Sequence, residues 1–205
     1  MKRCYLVRHA QTTWNSENRL QGDSDLPLSP LGHEQAQRVA ALFAASHVKG
    51  IFTSPLQRSQ QTAQAIAAGN GHGGRPVVAE GLAEMRLGAW EGLTPDEIDA
   101  RFQGLYQRWL KRPSSVRIPE AEPLSAFGAR VRRTLEHILD AMGEGEYVVV
   151  THGGVIAAVL ADLLHADYDE VLRRVRLDNA GVTALECGGG HPYVLWVNAT
   201  DHLLP

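Results

Sequence analysis

The chain has 205 residues, enough to bury a full hydrophobic core without disulfides or structural metals. Its apolar and charged fractions, 44% and 21%, are those of an ordinary globular protein, and a net charge of −3 with scattered basic residues excludes an electrostatic footprint for nucleic acid. No apolar run is long enough to span a bilayer, and a strand starting almost at Met1 leaves no room for a secretory leader; the expectation is a cytoplasmic protein.

Taken in chain order, short apolar runs alternate with helical stretches. Cys4-Tyr5-Leu6-Val7 reads as a buried strand followed by a polar loop through Asp25. Ser29 and Pro30 read as an N-cap and a first-turn proline, opening a helix to about Ser46. Ile51-Phe52-Thr53 is a short strand, and Ser54-Pro55-Leu56-Gln57 has the pattern of a capping box for a second helix ending near Gly69. Gly69 to Gly74 reads as a flexible connector in which His72 is simply solvated, and Val77-Val78 as a third strand.

From about Gly88 to Pro123 no clean period holds, which points to short helices and loops carrying Trp90, Trp109, Arg101, Arg108 and Lys111. Phe127, Val131, Leu135, Ile138 and Met142 fall at helical spacing and predict one long amphipathic helix. Tyr147 to Val150 is a strand, Gly153 to Leu164 a helix, and Val182–Glu186 and Tyr193–Val197 late strands. Cys4 and Cys187 both fall in apparent strands and read as buried free thiols.

This alternation predicts an α/β fold with a mostly parallel sheet covered on both faces, which binds ligands outside the carboxyl ends of its strands. Four such ends carry unusual chemistry. The first runs into Arg8-His9 and the second into a helix whose first turn holds Arg58. The third leads to Glu84 and the fourth into Thr151-His152-Gly153-Gly154. Any one of these residues alone has an ordinary structural explanation; two His, two Arg and one Glu at one sheet edge do not.

The set suits a phosphate. Two guanidinium groups match its oxygens, a helix N-terminus near Arg58 favours an anion, and Gly153 and Gly154 let backbone N–H groups come close. The arginine charges keep His9 neutral and nucleophilic, and Glu84 is the evident proton donor for a leaving oxygen. A His₂Glu metal site from His9, His152 and Glu84 is the competing reading, but two arginines repel a cation and no HExxH pattern is present. No metal and no cofactor are expected.

Leu6-Val7-Arg8-His9-Ala10-Gln11-Thr12-Thr13-Trp14-Asn15 resembles the signature of the histidine phosphatase superfamily, which contains cofactor-dependent phosphoglycerate mutases and many small phosphatases. The likeness continues at Arg19-Leu20-Gln21-Gly22, Thr53 to Arg58, Gly88-Ala89-Trp90-Glu91-Gly92 and Thr151 to Gly154, so it runs the length of the chain. It implies a three-layer α/β/α sandwich forming a single domain over 1–205, with a variable cap at about 86–123. It also implies His9 as phosphorylated nucleophile, Glu84 as proton donor, and Arg8, Arg58 and His152 as the phosphate pocket. Asn15, Gln21, Gly22 and Gly153 match lining positions.

Two positions depart from the family pattern. Ala10 stands where Gly is usual. Glu120-Ala121-Glu122-Pro123 replaces Gly-Gly-Glu-Ser, keeping Glu122 and putting Pro123 in a first helical turn.

A short chain whose ending, Asn198 to Leu203, is similar to that of small bacterial phosphatases favours hydrolysis of a small phosphomonoester. Alpha-ribazole phosphate, phosphoserine and phosphoglycerates are the candidates. Mutase-type transfer is the alternative, and a non-catalytic phosphoanion-binding regulator a weaker one, since nucleophile and acid are both present. No nucleic-acid or membrane partner is expected; a homodimer stays open.

Overall fold

A computed structural model describes residues 1–71, 74–188 and 191–204. Six strands form one sheet in the order β3-β2-β4-β1-β5-β6, made of β1 (Lys2–Arg8), β2 (Val48–Thr53), β3 (Val77–Val78), β4 (Gly145–Thr151), β5 (Val182–Glu186) and β6 (Tyr193–Ala199). β1 to β4 are mutually parallel, with Arg8 opposite Thr151 and Thr53 opposite Val150. β5 and β6 are antiparallel additions, so the sheet is mixed but mostly parallel.

Side-chain alternation along β1 divides the core. Cys4 and Leu6 pack under α6 (Leu124–Ala141) and α7 (Gly153–Leu163), while Tyr5 and Val7 pack against α2 (Pro30–Phe43) and α3 (Gln57–Asn70). The result is the three-layer α/β/α arrangement. α6 presents Phe127, Val131, Leu135 and Ile138 to the core as its spacing predicts, each burial worth about 1.5–3 kcal/mol. No helix of the described residues is long and apolar enough to cross a membrane.

Between the 3₁₀ turns Gly88–Trp90 and Pro113–Ser115, α4 (Pro95–Arg101) and α5 (Leu105–Lys111) build a small satellite core around buried Trp90, Ile98 and Ile118, the irregular region expected over 88–123. Two short helices lack a readable pattern in the sequence: α1 (Thr13–Ser16), inside the expected polar loop, and α8 (Tyr168–Arg174).

Several local expectations are corrected. Ser54 does not cap α3; that helix starts at Gln57 with no cap from the preceding side chain, and Asp25 Oδ1 from another loop accepts the Gln57 N–H at 2.6 Å. Ser54 is diverted because its hydroxyl meets His152 Nε2 at 2.7 Å and the Leu56 N–H at 3.2 Å. α2 ends at Phe43 rather than Ser46, where Asn70 Nδ2 donates to the Phe43 and Ser46 carbonyls at 2.6 and 2.7 Å. Pro123 is the N-cap of α6, one residue short of its first turn. Cys187 lies just beyond β5; it and Cys4 are free and buried. His72 lies outside the described residues.

Candidate active site

Because β1 to β4 run parallel, their carboxyl ends open on one edge, and there a cavity of about 340 Å³ is lined by Arg8, His9, Asn15, Gln21, Gly22, Arg58, Glu84 and Gly153 among others. His152 stands just behind, its ring centroid 5.2 Å from that of His9. The nine residues assigned to the site from the sequence are therefore brought together, eight in the wall and His152 behind it, with Gly154 also in the wall.

His9 is buried, and its Nδ1 lies 2.7 Å from the Ala10 carbonyl oxygen. A carbonyl only accepts, so Nδ1 carries the proton and Nε2 keeps its lone pair. The backbone holds the residue as firmly: the His9 N–H donates to Thr151 O at 2.8 Å, and its carbonyl accepts from Asn179 Nδ2 at 3.0 Å. Burial first, then the Arg58 and Arg8 charges, hold its pKa well below the usual imidazole value. His152 is lowered likewise, chiefly by burial and by Arg58. Ala10 is fully buried with its N–H on Thr62 Oγ1 at 3.1 Å and is not among the positive-φ residues, so a Cβ is tolerated where glycine is usual.

Arg58 is almost wholly buried at the start of α3. Two of its nitrogens donate to the Ser24 and Gly22 carbonyls at 2.6 and 2.8 Å, which aims the fork. Burial pushes its pKa down to about 10, against the raising influence of Glu84 and Asp25, so it remains a cation at neutral pH. Arg8 donates to the Leu177 carbonyl, and burial lowers it too. The Nε of each arginine and Nδ1 of His152 are buried without a hydrogen-bond partner among the described residues.

Glu84 follows the short turn Glu80–Leu82 after β3. Its Oε2 accepts the Gly154 N–H at 3.0 Å at the start of α7, and its Oε1 accepts the Met85 N–H at 2.8 Å. A Cβ on Gly154 would collide with the Glu84 carboxylate, so the second glycine of the pair, rather than Gly153, is the one that this close approach requires. Gly22, at φ +54°, is the other: a Cβ there would run into Glu91.

Other contributors were not assigned to the site from the sequence, although Glu91 lies in the Gly88 to Gly92 motif. Asn179 precedes the antiparallel strand β5, which delivers it to this edge, where its Nδ2 also reaches Asn15 Oδ1 at 3.2 Å. Glu91 accepts the Leu87 N–H at 2.8 Å and the Ser24 hydroxyl, tying the 88–123 segment to the loop that orients Arg58. Arg130 of α6 donates to the carbonyls of Gly81, Ala83 and Glu84 at 2.9, 2.7 and 2.9 Å. Only the retention of Glu122, its ion-pair partner, hinted at that clamp.

Fold and site together define an α/β protein in which two arginines and a histidine line a pocket at the parallel sheet edge, with a second histidine just behind. The chain belongs to branch 1 of the histidine phosphatase superfamily, whose pattern matches residues 4–200. It is 34% identical over 202 residues, 98% of each chain, to a Hydrogenobacter thermophilus protein provisionally named phosphoserine phosphatase 2. It is 33% identical over 195 residues, 91% of this chain and 85% of the other, to a Yersinia enterocolitica protein provisionally named phosphoglycerate mutase GpmB. Among solved structures it is similar to the Entamoeba histolytica phosphoserine phosphatase in complex with 3-phosphoglyceric acid, with TM-score 0.85, 29% identity and all of both chains covered.

Proposed function

We propose that this protein is a metal-independent phosphomonoesterase that hydrolyses a small phosphorylated metabolite through a phosphohistidine on His9. The observation that carries the reading is the Nδ1–H of His9 on the Ala10 carbonyl, which leaves Nε2 its lone pair on a residue that lines the pocket together with Arg8 and Arg58. In the first half-reaction Nε2 attacks phosphorus, the ester P–O bond breaks, and Glu84 supplies a proton to the departing oxygen. Arg8, Arg58 and the unpartnered Nδ1 of His152 take the charge that gathers on the phosphoryl oxygens. In the second, Glu84 accepts a proton from water as its oxygen attacks phosphorus, the P–N bond breaks, and inorganic phosphate leaves.

Asn15, Gln21, Gly22 and Gly153 line the pocket in this reading, and the segment 86–123 acts as the cap over the leaving group. Among the described residues no group of three or more His, Cys, Asp and Glu has the placement to hold a metal ion. The test is trapping: brief reaction with a phosphomonoester should give an acid-labile, base-stable adduct on His9, unaffected by prior EDTA treatment. A His9→Ala protein that folds and still turns over would overturn the proposal.

A further inference from the structure

Beyond the phosphate-binding end, the cavity wall is apolar: Met85, Leu87, Trp109, Tyr168, Leu172 and Leu177 face the space that a leaving group must occupy. These come from three remote stretches: the loop after Glu84, α5 of the satellite core, and α8 with the strand approach behind it. Trp109 is held there by stacking on Tyr106, ring centroids 5.6 Å apart, and by an edge contact with Trp90 at 6.3 Å. The Tyr168 hydroxyl makes no hydrogen bond among the described residues.

The cations are few and committed. Three line the cavity, Arg8, Arg19 and Arg58, and the first and last serve the phosphate. Arg19 is already taken, its Nη1 donating to Glu97 Oε2 at 2.9 Å and to Gly92 O at 2.7 Å, its Nε to Glu17 Oε2 at 3.0 Å. Arg101, Arg108 and Lys111, the basic residues that the sequence left open for a second anionic group, are not in the lining. A carboxylate held within this first cavity would therefore be taken from water against an apolar wall whose one remaining cation, Arg19, is already paired, which is costly.

A second cavity, about 510 Å³, shares Met85, Trp109, Tyr168 and Leu172 with the first. This gives room beyond the apolar wall for a leaving group larger than a three-carbon acid, and the rest of that second lining includes Arg117 beside Glu120 and Glu122.

Resting on the phosphomonoesterase reading, we infer that the preferred substrates are phosphate monoesters of bulky, uncharged, apolar or aromatic alcohols, and that carboxylate-bearing esters are disfavoured. This sets the chain apart from the relatives whose names refer to phosphoserine and phosphoglycerate.

The test compares kcat/KM for benzyl phosphate and 2-naphthylmethyl phosphate with that for phosphoserine and 3-phosphoglycerate. All four depart as alkoxides, so leaving-group chemistry does not bias the ranking. The aromatic esters should lead by about tenfold or more, the scale on which a well-filled apolar pocket discriminates. Leu172→Arg adds a cation to the wall and should narrow or invert the ratio. Carboxylate esters hydrolysed as fast as the aromatic ones, with the His9 adduct forming, would overturn this inference and leave the phosphatase reading standing. Absence of both adduct and phosphate release with every ester would remove the phosphatase reading, and this inference with it. The wild-type ranking decides even if Leu172→Arg does not fold, and Trp109→Leu, expected to slow the aromatic esters selectively, is the second variant.

Discussion

Arg130 and Glu122 meet as a two-bond fork, Nε to Oε1 and Nη2 to Oε2, each at 2.8 Å. The same guanidinium, stacked 4.9 Å over the Phe127 ring, gathers three carbonyls of the loop that ends in Glu84. This positions the proposed acid from behind without touching substrate. Lysine keeps the charge but has no planar fork, so Arg130→Lys should loosen the loop. The expected loss is about tenfold in kcat on alkyl phosphates and much less on nitrophenyl phosphate, because only the former need a proton from Glu84. Equal losses on both would mean that Arg130 merely supports the fold.

Glu84 itself gives the sharper version of that contrast. Glu84→Gln keeps the hydrogen bonds to Gly154 and Met85 within reach but cannot deliver a proton as an acid. Alkyl phosphates should slow by about 10²-fold or more, while a nitrophenolate leaves with little help. Steady-state rates on the two ester types check this; a uniform loss would assign Glu84 to orienting water instead.

Stability should depend on pH through the buried imidazoles. His9 and His152 are both held well below the usual value in the fold, and His202 is also lowered, by burial. The unfolded chain binds those protons near pH 6.5, whereas the fold resists them to much lower pH. The unfolded state therefore binds more protons across that window, so stability is full above about pH 6.5 and falls as pH drops below it. The slope for each ring is about 1.4 kcal/mol per pH unit. Urea unfolding at pH 7.5, 6.0 and 5.0 should show this decline, and His9→Ala should make it shallower. A flat profile would contradict the placement of these rings.

Water rather than a second substrate hydroxyl should accept the phosphoryl group. A mutase must keep a bisphosphate bound while it turns over, which requires cations for the second phosphate, and the three in this cavity are committed. Incubation with 3-phosphoglycerate, with and without 2,3-bisphosphoglycerate, followed by phosphorus NMR, should show inorganic phosphate or little reaction. Bisphosphate-dependent formation of 2-phosphoglycerate would place the enzyme with the mutases.

The pattern of residues along the chain was sufficient for the strands, the long helices and the site as a set. Burial periodicity is a short-range property, so Val148 to Val150 and the Phe127 to Ile138 stripe announce themselves locally. A parallel sheet then brings the ends of β1 to β4 to one edge whatever their separation in sequence, which is why His9, Arg58, Glu84 and His152 were legible together.

Partner choice was not legible. Ser54 satisfies a local capping rule yet serves His152, and the helix it should have capped is capped by Asp25, thirty-two positions from Gln57. Asn179 reaches His9 only because β5 runs antiparallel beside β1. The apolar wall of the cavity joins Trp109, already singled out in the sequence, to Leu87 and Leu172, which individually look like ordinary core or surface. Hydrogen-bond partners and cavity linings depend on which distant segments touch, and that is decided by the packing of the whole chain rather than by any window of it.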